Sequence, residues 1–419
     1  MEVMRVLDSF LLQLLRVPLV FQQKKCDALI VGCGVVGLAT GIALIQRFHG
    51  IRVVIAEKEE SLGLHASGRN SGVLHAGFYY SPESLKAKFC RDGNLDLRKL
   101  TRKFNIPFME VGKVVVARND AENLRLQELH DRGLTNNVDV ELLPEEQLHK
   151  YEPLAKTRTR FLWSPTTGIS DPHAVLAAMR DEFTAMGGEI HYGSKVRLGE
   201  RNSEIIDTSG KFLANHYINA SGAQSDRLAR EIGIGTKYAM LPFMGIYRAT
   251  NHKNLPLQRL VYPVPHLINP FLGVHFTLTI DGKTKIGPTA IPVFGREHYT
   301  LNSGWSAPDT IQSLKSIRAL VTGQAHDFKA ILKSEIPKVF QNLLISESAK
   351  LVPSATLAKG WFKLPPGIRA QLVDLTNGEL VQDFIVESYL NSTHILNAVS
   401  PGWTSAYPFG RHVASKLEF

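Results

Sequence analysis

The run Gly32-Cys33-Gly34-Val35-Val36-Gly37 constrains the fold of this chain more than any other stretch. It follows the apolar residues Ala28-Leu29-Ile30-Val31 and precedes an apolar helical pattern from Leu38 to Phe48, closed by His49-Gly50. Glycines at these three places leave bare N–H groups at a helix N-terminus, where a pyrophosphate is met by hydrogen bonds and by the positive end of the helix dipole. A second run, Arg52-Val53-Val54-Ile55-Ala56, is short, β-branched and continuously apolar, as a parallel strand covered on both faces must be. It leads into Glu57, 20 residues after Gly37, where a carboxylate can accept from a ribose hydroxyl. Together they predict a βαβ unit that binds an adenine dinucleotide.

A chain of 419 residues is too long for one ordinary core, so two domains are expected. Ser81-Pro82 reads as a helix start, and Leu85, Phe89, Leu97, Leu100 and Phe104 carry the helix, with an interruption expected near Gly93. Strands are predicted from Val111 to Ala117 and from Val261 to Pro292, the latter with Asp281-Gly282 as a hairpin turn. Between them, Pro172 to Met186 reads as a helix, Gly188 to Leu198 as a strand, and Tyr217-Ile218-Asn219-Ala220-Ser221-Gly222 as a buried strand ending in small residues. The expected division gives a nucleotide domain of 25–105, 150–230 and 350–419, a substrate domain of 106–149 and 231–349, and a separate segment 1–24. The fold class is α/β: a Rossmann-like domain with a parallel sheet, interwoven with an α+β domain built on an antiparallel sheet.

The net charge of +9 favours anionic partners, but no dense Lys/Arg run, finger spacing or aromatic-rich nucleic-acid signature accompanies it. Nucleic acid is therefore not expected. Cys26, Cys33 and Cys90 form an odd set without a C-x-x-C pair, which argues against a disulfide framework and against a metal site, and fits a reducing, cytoplasmic location. In the first 23 residues Glu2, Arg5, Asp8, Ser9, Gln13 and Arg16 recur every three or four positions and line one narrow polar stripe. The apolar stretches between them fall short of the roughly 20 residues of a membrane span, and no secretory signal is legible. Such an amphipathic start either packs on the protein or makes peripheral contact at the inner face of a membrane.

The fingerprint alone does not separate FAD from NAD. The next segment does: His65-Ala66-Ser67-Gly68-Arg69-Asn70-Ser71-Gly72-Val73-Leu74-His75-Ala76-Gly77-Phe78-Tyr79-Tyr80 resembles the loop of the D-amino-acid-oxidase-like superfamily of FAD enzymes, and within it the L-2-hydroxyglutarate dehydrogenases. The resemblance continues through Tyr262-Pro263-Val264-Pro265, Pro270-Phe271-Leu272-Gly273-Val274-His275-Phe276-Thr277, Ile286-Gly287-Pro288, Gly367-Ile368-Arg369-Ala370-Gln371 and Ser400-Pro401-Gly402-Trp403-Thr404-Ser405. It spans about Cys26 to Val413. The chain departs from the family's commonest residues at Ala66-Ser67 and Ala76, and Trp403 with Ala406-Tyr407-Pro408-Phe409 is bulkier than the usual helix start.

The resemblance implies that Gly32, Gly34, Gly37 and Glu57 hold the ADP half of FAD, and that Ser67, Arg69, Asn70 and Ser71 lie along its pyrophosphate, ribityl or ring part. Ala220, Ser221 and Gly222 resemble the family's middle nucleotide-contacting strand end. Gly402, Trp403, Thr404 and Ser405 are expected to begin a closing helix whose N–H groups face the reduced flavin. The implied reaction removes hydride from C2 of a small anionic 2-hydroxy acid, foremost L-2-hydroxyglutarate, and passes electrons to a quinone, a carrier or oxygen. Such chemistry needs a base and a cation for the carboxylate. His75 is the first candidate base and His275 the second, while Arg369 matches the superfamily's carboxylate-binding arginine. A second cation for a dicarboxylate would come from Arg69, Lys86 or Arg296, and hydroxyl donors from Tyr79, Tyr80 or Tyr262. An amine or amino-acid oxidase of the same fold, and a catalytically silent flavin-binding module, stand as the alternatives.

Overall fold

The computed structural model describes residues 24–198, 204–207, 210–265, 271–300, 304–323 and 328–419. The amphipathic stripe predicted before Lys24, and Pro270 of the sequence motifs, lie outside these residues. Elements that position the site are, in chain order, β1 (Lys24–Val31), α1 (Val35–Arg47), β2 (Val53–Ala56), α2 (Leu85–Lys103), β3 (Lys113–Val116), α3 (Pro172–Ala185), β4 (Glu189–His191) and β5 (Gly210–Asn219). There follow β6 (Tyr238–Gly245), β7 (Leu260–Pro263), β8 (His275–Leu278), β9 (Lys283–Gly287), β10 (Gly367–Asp374), β11 (Ser392–Asn397) and α4 (Ala406–Ser415).

The βαβ unit is present. β1 lies parallel between β2 and β5, with β4 beyond β2 and β11 beyond β5, all parallel. Ala28, Ile30, Val53 and Ile55 are all but inaccessible to solvent, which is why both strands could be continuously apolar. α1 buries Leu38, Ile42 and Leu44 in the same core as Phe409 and Val413 of α4, each worth about 1.5–3 kcal/mol when fully removed from water. The two helices touch so closely that a Cβ on Gly410 would lie 2.4 Å from the Ala39 backbone.

A second eight-stranded sheet contains β9, β8, β7 and β3 as neighbours. It was expected to be antiparallel, and most of it is, but β7 runs parallel to β3 in register Val261↔Val114. The long excursion between these strands, which includes α3 to β6, lets them run the same way. A four-stranded antiparallel sheet pairs β6 with β10, placing Arg369 opposite Phe243.

Several boundaries differ from the sequence expectation. α2 is continuous through Gly93; a Cβ there would lie 2.0 Å from the Thr404 carbonyl oxygen, so the glycine serves close approach and not a break. Its N-cap is Ser84, whose hydroxyl accepts from the Ala87 N–H, in place of Ser81. The span from Gly188 to Leu198 holds two short strands, β4 and Arg197–Leu198. The closing helix starts at Ala406, so Gly402 to Ser405 form the turn before it.

Candidate active site

One end of the site is built by the glycine turn. Gly32 has φ +106°, and a Cβ there would lie 2.6 Å from the Ala220 carbonyl oxygen; a Cβ on Gly37 would lie 2.0 Å from the Gly32 oxygen. The turn can therefore sit against the end of β5 only as glycine. α1 starts without a side-chain cap of its own, and the Val35 N–H donates to Ser67 Oγ at 3.1 Å. At the end of β2 the Glu57 carboxylate accepts from the Cys33 N–H at 2.8 Å and the Glu59 N–H at 3.0 Å, which fixes it at the mouth of the turn.

From there a cavity of about 830 Å³ runs through the molecule. Its walls include Gly32, Gly34, Glu57, Ser67, Arg69, Asn70, Ser71, Ala220, Ser221, Gly222, Gly402, Trp403 and Thr404, together with His75, His275 and Arg369. Gly37 and Ser405 do not line it: the first packs beneath the turn, and the second is buried with its N–H donating to Pro401 O. Asn70 ties its own loop, donating to Ser67 O at 2.7 Å and accepting from the Gly72 N–H at 2.8 Å. Arg69 donates to Leu64 O at 2.6 Å and Pro366 O at 3.3 Å, with its guanidinium 4.2 Å from the Tyr299 ring centre. His65 is engaged at both ring nitrogens, by Tyr299 Oη at 2.9 Å and by Glu59 Oε1 at 2.8 Å.

At the other end stands Arg369. Its guanidinium lies 5.1 Å from the Phe271 ring centre, and it has no ion-pair partner among the described residues. Burial lowers its pKa from the ordinary value, with Tyr247 and Tyr80 opposing. A partly desolvated guanidinium without a counter-ion is costly, and an incoming carboxylate relieves it with two parallel hydrogen bonds. Arg296, one of the three candidate second cations, also lines the cavity but is the opposite case: it is buried between Asp226 and Asp309, its Nε donating to Asp309 Oδ1 at 2.9 Å, so its charge is already answered. Lys86 is buried off the cavity wall, over the Phe384 ring, and burial, reinforced by Arg369 against Asp383, pushes its pKa down to about 8.

Both histidines line the same cavity. His75 is buried, its Nδ1 has no partner, and burial, then Lys113, His275 and Arg369, hold it well below the ordinary imidazole range. Burial pushes His275 down to about 3; the Gly273 carbonyl opposes this, and Lys113, Arg369 and Lys285 add to it. His275 Nδ1 lies 2.8 Å from Gly273 O. A carbonyl only accepts, so Nδ1 carries the proton and Nε2 the lone pair. Sequence reasoning missed Tyr247 and Tyr299 on the wall and Lys113 behind it. Of these only Lys113 left a trace, as a single charge in an otherwise apolar strand.

The turn at Gly32, the carboxylate of Glu57 and one cavity that also holds an unpaired cation suit a dinucleotide together with a small anion. The chain matches the family described as FAD dependent oxidoreductase over residues 27–416. It is 35% identical over 401 residues to the L-2-hydroxyglutarate dehydrogenase of Escherichia coli K12, covering 94% of this chain and 93% of that protein. To the human mitochondrial L-2-hydroxyglutarate dehydrogenase it is 32% identical over 414 residues, covering 94% and 88%. Among solved structures it resembles the FAD-bound L-α-glycerophosphate oxidase of Mycoplasma pneumoniae, with TM-score 0.72, 22% identity and 94% and 96% coverage. Glycine oxidase of Geobacillus kaustophilus gives TM-score 0.69, 20% identity and the same coverage.

Proposed function

This chain belongs to the FAD dependent oxidoreductase family, and on that premise we propose that it oxidises L-2-hydroxyglutarate to 2-oxoglutarate. Bound FAD would supply the hydride acceptor for C2 and the route by which the electron pair reaches a quinone, a carrier or oxygen. Gly32, Gly34, Glu57 and Ser67 would hold its adenine dinucleotide half, and Gly402 to Thr404 would flank the other end.

The observation that carries the substrate reading is Arg369, a half-buried guanidinium with no carboxylate of its own, in one cavity with two uncharged imidazoles. Arg369 would grip the C1 carboxylate and so fix which hydrogen of C2 is presented. The hydroxyl proton would pass to His275 Nε2, whose lone pair is set by the Gly273 bond, with His75 as the second acceptor. A bound dianion offsets the field of Lys113, Lys285 and Arg369 that weakens His275 as a base, so substrate binding itself raises its proton affinity. Hydride and proton then leave the same C–OH group and a ketone remains.

Anaerobic mixing of the yellow holoenzyme with L-2-hydroxyglutarate should bleach the flavin band, whereas glycine, sarcosine and glycerol 3-phosphate should not. Bleaching by sarcosine or glycine alone would move the assignment to C–N oxidation. A flavin that no acid or amine reduces would leave a silent flavin-binding module. Among the described residues no helix is long and apolar enough to cross a membrane. Peripheral membrane contact rests on the amphipathic segment before Lys24; its deletion should abolish co-sedimentation with lipid vesicles, and unchanged sedimentation removes the idea.

A further inference from the structure

Lys113 sits on β3 beside Val114, Val115 and Val116, and it is 0% exposed. Its Nζ has no hydrogen-bond partner. It faces rings instead, 4.2 Å from the centre of Tyr262, 5.0 Å from Tyr79 and 5.5 Å from Phe78. Tyr262 is stacked in turn on His275, with centres 3.8 Å apart and planes 19° from parallel. Lys113 is not on the cavity wall, yet its charge acts on both His75 and His275. A methionine would fill the same space without burying an unpaired ammonium, so packing alone does not account for this residue.

We propose that Lys113 is a positioning residue for the oxidation: an ammonium that never touches substrate but, behind the Tyr262 ring, sets how tightly His275 holds a proton and how tightly the cavity holds an anion. The inference rests on the reading of His275 as the proton acceptor. Burial pushes Lys113 down to about 7, with Cys90 of α2 opposing, so its charge changes near neutral pH. The other charged or titratable groups that act on His275 are Lys285 of β9, Arg369 of β10 and, through mutual repulsion, His75 of the loop before α2; Tyr262 of β7 covers one ring face. Of the cations among them, Lys285 is pushed down only to about 8, and Arg369 stays charged. As pH rises through 7, Lys113 loses its proton, His275 becomes the stronger base and anion binding weakens.

The test uses holoenzyme and two readouts: the pH profile of kcat with L-2-hydroxyglutarate, and the pH dependence of Kd for glutarate, which lacks the hydroxyl and is followed by the flavin spectrum. Wild type should show an ionisation near pH 7 in both. Lys113→Met should lose it from both and bind glutarate roughly tenfold more weakly at pH 6, a change equal to one pKa unit of interaction. Lys113→Arg, with a fixed charge, should keep the acid-side behaviour through pH 7 and leave only the later step of Lys285 near 8. An ionisation near pH 7 that persists in glutarate binding of either variant overturns the inference, and if Lys113→Met fails to retain FAD, Lys113→Arg decides alone. His275→Asn separates the two ideas: normal turnover there removes His275 as the base, while the glutarate ionisation still reports Lys113.

Discussion

Thr404 holds the backbone of His75: its hydroxyl accepts from the His75 N–H at 3.2 Å and donates to the Val73 carbonyl at 3.2 Å. The turn before α4 and the loop before α2, far apart in the chain, thus meet through one fully buried side chain. Thr404→Val keeps the shape and leaves two buried backbone groups unpaired, at a cost of about 1–3 kcal/mol. Calorimetry should show a lower Tm. Flavin reduction should slow because His75 is no longer fixed, while a rate equal to wild type would show that the loop is held by other contacts.

Arg369→Met should lower kcat/KM for L-2-hydroxyglutarate by roughly a hundredfold or more, about 3 kcal/mol, with most of the change in KM. Arg369→Lys should recover little, since an ammonium cannot match the two carboxylate oxygens in one plane. Steady-state kinetics of both variants check this, and a lysine variant with wild-type KM would argue against bidentate binding.

Arg296 should behave as structure and not as substrate binder. Arg296→Met leaves Asp226 with Arg230 and Asp309 with Arg227 but without their shared guanidinium, and should destabilise the fold by about 1.5–3 kcal/mol, read from urea unfolding. Preference among hydroxy acids in the surviving folded fraction should be unchanged.

Lys113→Met should be more stable than wild type at neutral pH. The ordinary lysine pKa of 10.5 falls to about 7 in the folded protein, so between these values the unfolded chain binds the proton more tightly. The destabilisation is complete at and below pH 7 and disappears as pH rises to 10.5. After the lost cation–π contacts are allowed for, the variant should gain about 2 kcal/mol at pH 6–7, shrinking as pH climbs. Thermal melts across that range would show it, and a uniformly less stable variant would contradict it.

Much of the nucleotide end was legible because its parts lie close in sequence: turn, helix, strand and Glu57 occupy one short segment. The loop and terminal motifs were legible through resemblance, and the fold brings His75, His275 and Arg369 to one cavity. Arg296 could not be told apart from Arg69 and Lys86 in the sequence because its partners are 70 and 13 residues away, and nothing local to it announces an ion pair. Lys113 escaped for the same reason, since its meaning depends on rings from β7 and from the loop before α2. Gly93 was read as a helix breaker when its partner, the Thr404 carbonyl, comes from the far side of the chain.

The parallel order of β4, β2, β1, β5 and β11, with α4 laid on α1, has a bearing on biosynthesis. A ribosome would release β1 and the glycine turn long before β5, and β11 and α4 later still. Until then β1 offers an unpaired edge and α1 an uncovered apolar face, the conditions under which nascent chains misassociate. The cavity walls supplied by Ala220 to Gly222 and by Gly402 to Thr404 are thereby missing from the nascent chain until β5 and the turn before α4 have been synthesised.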